Sequence, residues 1–251
     1  MCQYDNFFDF AYAPNFDGTV QYLASLAQDE PWSFDPAQGD YKVLKNYIFH
    51  TYKRLKSENK IAIDGEYACL NTGLFSKSNN EIYFLFSKNK NIGRQPWFLS
   101  GIKEKADISL SSFINLPARA EYITINDEHI YNINKELRVN IKHILDETED
   151  NINRIPLSIR DKPFLKILFL GAIEDAKMRI AQNYRTAIFQ FYEERLQYLI
   201  PLRLTGRETP DIALAVSIQN DFYIGHTCLT LQMAYNNARL ICKPMSDWLV
   251  I

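Results

Sequence analysis

The chain has 251 residues, of which 47% are hydrophobic, 23% charged and 14% aromatic, and its formal net charge at pH 7 is -2. That apolar fraction excludes a disordered chain, and a chain of this length buries about 70–75% of its unfolded surface, so its core needs no disulfide or metal staple. The near-neutral charge excludes nucleic-acid binding by bulk basicity and leaves room only for a local basic groove.

Along the chain, the first forty residues are aromatic and acidic, with Phe7, Phe8, Phe10, Tyr12, Phe16, Trp32 and Phe34 set among Asp and Pro. They read as an extension laid on the body, with a short helix near Val20–Gln28. Leu44, Tyr47, Ile48, Tyr52 and Leu55 recur at spacings of three and four, which predicts a helix from Tyr41 that ends at Glu58-Asn59-Lys60. Strands are expected at Ile61–Asp64, Tyr67–Asn71 and Glu81–Phe86, separated by Gly65 and by Ser78-Asn79-Asn80. A basic loop around Lys88, Lys90 and Arg94 follows, then a short helix at Ser109–Phe113 and a strand at Tyr122–Ile125. Leu137, Ile141, Ile144 and Leu145 suggest a helix over Glu136–Leu145.

The strongest helical signal spans Lys162 to Phe191, where Ile173, Ala176, Ile180, Tyr184, Ala187 and Phe191 form one apolar face. Strands at Leu196–Leu204, Ile212–Ile218 and Phe222–Leu229 and a helix near Leu231–Leu240 complete the pattern. No sequence repeat, low-complexity segment or linker divides the chain. The expected fold is therefore α+β: residues 41–251 form a single domain with an antiparallel or mixed sheet packed against a long central helix and flanking helices, and residues 1–40 pack on it.

Several chemistries are absent from the sequence. The 9 glycines form neither a dinucleotide fingerprint nor a P-loop, and no zincin, paired-cysteine or nucleophile-elbow motif occurs. The 4 cysteines are isolated and mostly in apolar surroundings, as expected of reduced thiols in a cytoplasmic protein. The opening Met1-Cys2-Gln3-Tyr4-Asp5 lacks the basic and apolar regions of a secretory leader, and no apolar run reaches the length of a membrane span. The acidic run Asp146 to Asp150 lacks alternating ligand spacing and reads as a solvated helix end, so neither a metal site nor a cofactor is expected.

What remains is rich in arginine, amides and aromatics. Arg179, Asn183, Thr186 and Gln190 follow a spacing of four, three and four, which on one helix makes a polar stripe. Such a stripe either faces a ligand or hydrogen-bonds to neighbouring strands. Tyr235, Asn236, Asn237 and Arg239 form a second cluster. Asn71 precedes Gly73 at a strand end, and Arg119 follows Pro117 in a loop where it can turn a cation inward or pair with Glu121. His143, near Arg138, Asn140 and Lys142, is the best acid–base candidate, while His226 lies in a strand of undecided facing. Arginine suits phosphate and amides suit base edges.

The segments Asn71-Thr72-Gly73-Leu74, Leu116-Pro117-Ala118-Arg119-Ala120, Asn140 to His143, Asn183-Tyr184-Arg185-Thr186-Ala187 and Tyr235-Asn236-Asn237-Ala238-Arg239 occur in this order in a known family. On these segments the chain resembles domain of unknown function family 3825 from about Tyr41 onward. The resemblance implies no set activity. It does imply association with RNA-binding domains of the LOTUS (OST-HTH) and cold-shock types. The family pattern often carries Asp where this chain has Gln232 and Pro where it has Phe189.

The resulting expectation is an RNA- or nucleotide-recognising domain whose catalytic activity is open. Arg179, Arg239 and Arg119 would meet phosphate, and Asn71, Asn183, Gln190, Asn236 and Asn237 would meet base, ribose or phosphate. Tyr235 would stack and His143 would move a proton. Any cleavage would be metal-independent, with a ribose 2′-OH as nucleophile and arginine as charge stabiliser. The alternative is a protein–protein adaptor that uses the aromatic N-terminal segment.

Overall fold

The computed structural model describes residues 4–35, 39–91, 93–122, 130–145, 152–161, 163–244 and 247–249. The expected strand at Tyr122–Ile125, past its first residue, and the acidic run at 146–150 lie outside them. The fold is α+β. The described residues gather into two compact units, one up to Glu121 and one from Tyr122.

In the first unit α1 (Phe7–Phe10), β1 (Ala11–Tyr12), α2 (Phe16–Leu26) and α3 (Lys42–Ser57) precede β2 (Ala62–Asp64), β3 (Tyr67–Phe75), β4 (Glu81–Lys88) and β5 (Trp97–Glu104). The helix α3 forms where the three-and-four spacing placed it. It closes on Asn59 at φ 55°, a left-handed residue that lets the Lys60 amide donate to the Leu55 carbonyl at 2.8 Å. The five strands lie in the order β1-β5-β4-β3-β2. Leu44, Tyr47, Ile48, Tyr52 and Leu55 of α3 are buried. Phe7 and Phe10 are buried too, with Phe7 against Phe84, Phe86 and Tyr52 at ring separations of 5.7–6.2 Å. The aromatic content that motivated an adaptor reading thus goes largely into this unit's own core. On the other sheet face Cys69, Tyr83 and Leu85 meet Leu110 and Phe113, next to a short 3₁₀ turn at Ile108–Leu110 in place of the expected helix.

The second unit contains β6 (Glu136–Val139), α4 (Ile141–Ile144), α5 (Leu157–Arg160), α6 (Leu165–Gln182), β7 (Ile188–Tyr192), β8 (Arg195–Leu202), β9 (Ile212–Ile218), β10 (Phe222–Leu229) and α7 (Leu231–Arg239). The strand order is β6-β10-β9-β8-β7. This repeats the first unit's topology. In both, an antiparallel four-strand meander is closed by an edge strand lying parallel to its last member. The closing pairs are Ala11 with Trp97 and Glu136 with Phe222, 86 residues apart in each case. The sequence shows no repeat, yet the architecture occurs twice.

Two further helix expectations, both in this unit, are corrected. The helix expected over Glu136–Leu145 is the edge strand β6 followed by the single turn α4. The helix expected to reach Phe191 stops at Gln182, where Asn183 is extended and its side chain caps the 3₁₀ turn Tyr184–Thr186. Beyond that turn, Ile188–Tyr192 is β-branched and aromatic and pairs with β8 as a strand. Ile173, Ala176 and Ile180 are buried as expected, but Tyr184 is 55% exposed. The stripe Arg179, Asn183, Thr186 and Gln190 is thus spread over a helix, a cap, a turn and a strand.

Among the described residues no helix is long and apolar enough to cross a membrane. Cys69 and Cys228 are buried, with their thiols pushed up to about 12 by burial, and Cys242 is exposed. Neither buried thiol is poised to act as a nucleophile.

Candidate functional site

The two faces of the second sheet have different covers. On one, Ile173, Ala176 and Ile180 of α6 pack on Tyr198, Ile200, Leu202, Leu214 and Val216. The intervening residues point the other way, as strand alternation requires. That opposite face carries α7, whose Asn237 Nδ2 donates to Gln190 Oε1 at 2.9 Å. Arg179 on α6 and Arg239 on α7 therefore do not sit on one helical stripe or one sheet face.

On the α7 face, the strand register sets one row across all five strands: Gln190, Gln197, Ser217, Ile224 and Arg138. Its side chains are linked at one end, where Gln190 Nε2 donates to Gln197 Oε1 at 2.6 Å. Burial falls along the row, from Gln190 at 1% exposure under α7 through half-buried Gln197, Ser217 and Ile224 to exposed Arg138. The open end is where a ligand can reach the sheet.

That end forms a cleft of about 750 Å³ lined by Arg138, Val139, Asn140, His143, Phe222, Ile224, Gly225, His226 and Thr227. Each part has a local cause. The parallel pairing of β6 with β10 sets Glu136 opposite Phe222 and Arg138 opposite Ile224. Arg138 Cζ then lies 3.9 Å from the centre of the Phe222 ring. Glu136 accepts from Arg138 Nε at 2.8 Å; this bond raises the guanidinium's pKa and lowers that of the Glu136 carboxyl. His143 is held on α4 because Asn140 Oδ1 caps that turn, accepting from the His143 amide at 3.3 Å. The register shift between Gly225 and Thr227 makes His226 the extra residue of a bulge, a device that re-aims a side chain. Its Nε2 lies 2.7 Å from Ser217 Oγ. Gly225 is required by close approach, since a Cβ there would stand 2.9 Å from Val139 Cγ2.

The site residues expected from sequence fall in several places. Asn71 and Arg119 belong to the first unit. Asn71 is buried in a strand bulge, accepting from the Gly73 amide and donating to Glu81 Oε1 and the Pro117 carbonyl. Gly73 has the positive φ, 74°, expected of it. Arg119 is exposed and does not turn inward; its carbonyl accepts from Lys60 Nζ at 3.2 Å.

The others belong to the second unit. Arg179 pairs with Asp175 at 2.8 Å, and Asn183 is exposed and serves as a cap. Tyr235 and Arg239 are 3% and 5% exposed, on the inner side of α7. Asn236 is half-buried, with its Oδ1 enclosed. The structure thus joins Gln190 to Asn237 and places His143 in the lining of one cleft with Arg138, Asn140 and His226. Sequence reasoning did not select Arg138 or His226. The only signal it had for them was a cation near His143 and a histidine in a strand.

Among the described residues no cluster of His, Cys, Asp and Glu is placed to hold a metal. The cleft therefore presents one guanidinium, two imidazoles, an amide and an aromatic ring.

A family model described as Domain of unknown function (DUF3825) matches residues 23–248, and the chain belongs to that family. No curated protein and no solved structure matches it.

Proposed function

We propose that the second unit recognises single-stranded RNA or a nucleotide on the open end of its sheet. The observation that carries this reading is Arg138 resting 3.9 Å over Phe222 in a cleft that also presents His143, Asn140 and His226. A guanidinium is a forked donor for phosphate, and aromatic rings and guanidinium planes on a sheet face are stacking platforms for unpaired bases. The amide row from Asn237 through Gln190 to Gln197 extends the polar surface towards α7. The family resemblance, with its implied association with LOTUS-type and cold-shock domains, points the same way.

The test is titration of a labelled single-stranded RNA against the intact chain. Binding should weaken as salt rises, modestly because few phosphates are engaged. Arg138→Lys keeps the charge but loses the fork and should weaken binding several-fold. Absence of binding by the wild type at low salt would overturn the reading.

A further inference from the structure

We infer that the same cleft cleaves RNA by internal transfer at phosphorus, with His143 and His226 as its proton-transfer pair and Arg138 as its phosphate contact. This rests on the recognition reading above and adds a reaction to it. Two imidazoles from distant parts of the chain, one on α4 and one on a strand bulge, line one opening together with a guanidinium. Both are exposed and so open to a ligand. His143 is anchored through its backbone amide, and its side chain lines the cleft. His226 is the residue that the bulge adds to β10, and its ring meets the Ser217 hydroxyl.

The chemistry that fits two imidazoles and a guanidinium is transesterification by a neighbouring ribose hydroxyl. The 2′-oxygen attacks phosphorus while one imidazole takes its proton. The bond from phosphorus to the 5′-oxygen breaks, and the other imidazole, in its protonated form, gives a proton to that oxygen. Arg138 meets the charge on the non-bridging oxygens. The products are a 2′,3′-cyclic phosphate and a free 5′-hydroxyl. Atoms and protons balance without water, metal or any co-reactant. Only a substrate with a 2′-hydroxyl can react.

The experiment incubates the intact chain with single-stranded RNA in the presence of a chelator and identifies the ends produced. Cyclic phosphate and 5′-hydroxyl ends are expected. His143→Ala and His226→Ala should each slow the reaction by about 100-fold or more. A substrate with sulfur at the bridging 5′ position leaves without protonation. It should therefore restore the rate of whichever variant lacks the proton donor and not that of the other, a pattern that general unfolding cannot produce. RNA methylated at every 2′-oxygen should bind without being cut. If it binds and ordinary RNA is not cut, or is cut by both variants as fast as by the wild type, the catalytic inference falls and recognition stands. If neither RNA binds, the recognition reading falls with it.

Discussion

Arg138 lies between two partners, with the Phe222 ring 3.9 Å from its guanidinium carbon and the Glu136 carboxylate 2.8 Å from its Nε. The ring and the strand pairing fix where the cation stands, and the carboxylate occupies one edge of its fork. A guanidinium has five N–H donors, so an edge is left for phosphate, but Glu136 competes for the charge.

Removing the competitor should therefore help. Glu136→Gln is expected to tighten RNA binding several-fold at low salt, and the gain should vanish when Arg138→Lys is added. Fluorescence anisotropy on the two single variants and the double variant measures both effects. Unchanged affinity in Glu136→Gln would place phosphate elsewhere.

The covered end of the row makes a prediction about stability. Gln190 is 1% exposed, and its Oε1 accepts from Asn237 Nδ2. Asn237→Ala leaves that oxygen buried without its donor, at a cost of about 1–3 kcal/mol. Adding Gln190→Leu should return part of this, because an apolar side chain then occupies the space without a lone pair to satisfy, and the donor that Gln197 Oε1 loses is lost at a half-buried rather than a fully buried residue. Urea denaturation of the single and double variants reads the difference, and a double variant less stable than the single one would contradict it.

Acid should weaken the first unit through two carboxyls. Burial pushes the Glu58 carboxyl up, but Lys60, the Glu121 amide and Arg54 outweigh it and hold its pKa below the ordinary 4.5. Glu81 behaves alike, with burial outweighed by Lys105, Asn71 and Tyr83. A carboxyl whose folded pKa is depressed binds fewer protons when folded than when unfolded. Its contribution to stability is therefore complete above 4.5 and is lost as pH falls through the folded value. Glu58→Gln should flatten the fall of the denaturation midpoint below pH 4.5, and an unaltered slope would rule this out.

The hairpin joining β7 to β8 is built against preference. Tyr192 pairs with Arg195, so Glu193 and Glu194 form the whole connection, at φ 47° and 59°. A two-residue turn with both φ positive favours asparagine followed by glycine. The double substitution Glu193→Asn with Glu194→Gly should stabilise the chain by about 1–2 kcal/mol, since left-handed backbone costs an ordinary side chain that much per residue. Thermal denaturation decides it, and a lower midpoint would mean that the glutamates make compensating contacts.

The sequence was legible where a local pattern and a local stop coincide. The bounds of β9 and β10 could be read off because two short runs, one apolar from Ile212 to Val216 and one rich in aromatic and apolar residues from Phe222, are separated by Asn220-Asp221. The same holds for α3, whose stripe ends at a residue able to turn left-handed. Legibility failed beyond Gln182, where Tyr184, Ala187 and Phe191 continue a helical spacing by coincidence although β-branched and aromatic residues carry the chain into β7. It failed also at β6, four residues long, whose strand character comes from a partner far along the chain. The cleft was less legible still. His143 could be proposed, but the facing of His226 depends on a bulge, and the meeting of Arg138 with Phe222 depends on a long-range parallel register. Neither leaves a mark on nearby residues.

The closing pair of the second unit carries a kinetic consequence. Loop closure over 86 residues is entropically late, and such non-local parallel pairing slows folding. The meander β7 to β10 joins neighbours in sequence and can form beforehand. β6 must then find β10 across everything between them, bringing Arg138, Asn140 and His143 with it. During synthesis, a ribosome that has passed His143 still has to deliver Phe222 and His226 before the lining of the cleft is complete. The cleft is thus among the last features of the nascent chain to assemble, and a message truncated before β10 yields the imidazole of His143 without the surface that gives it a use.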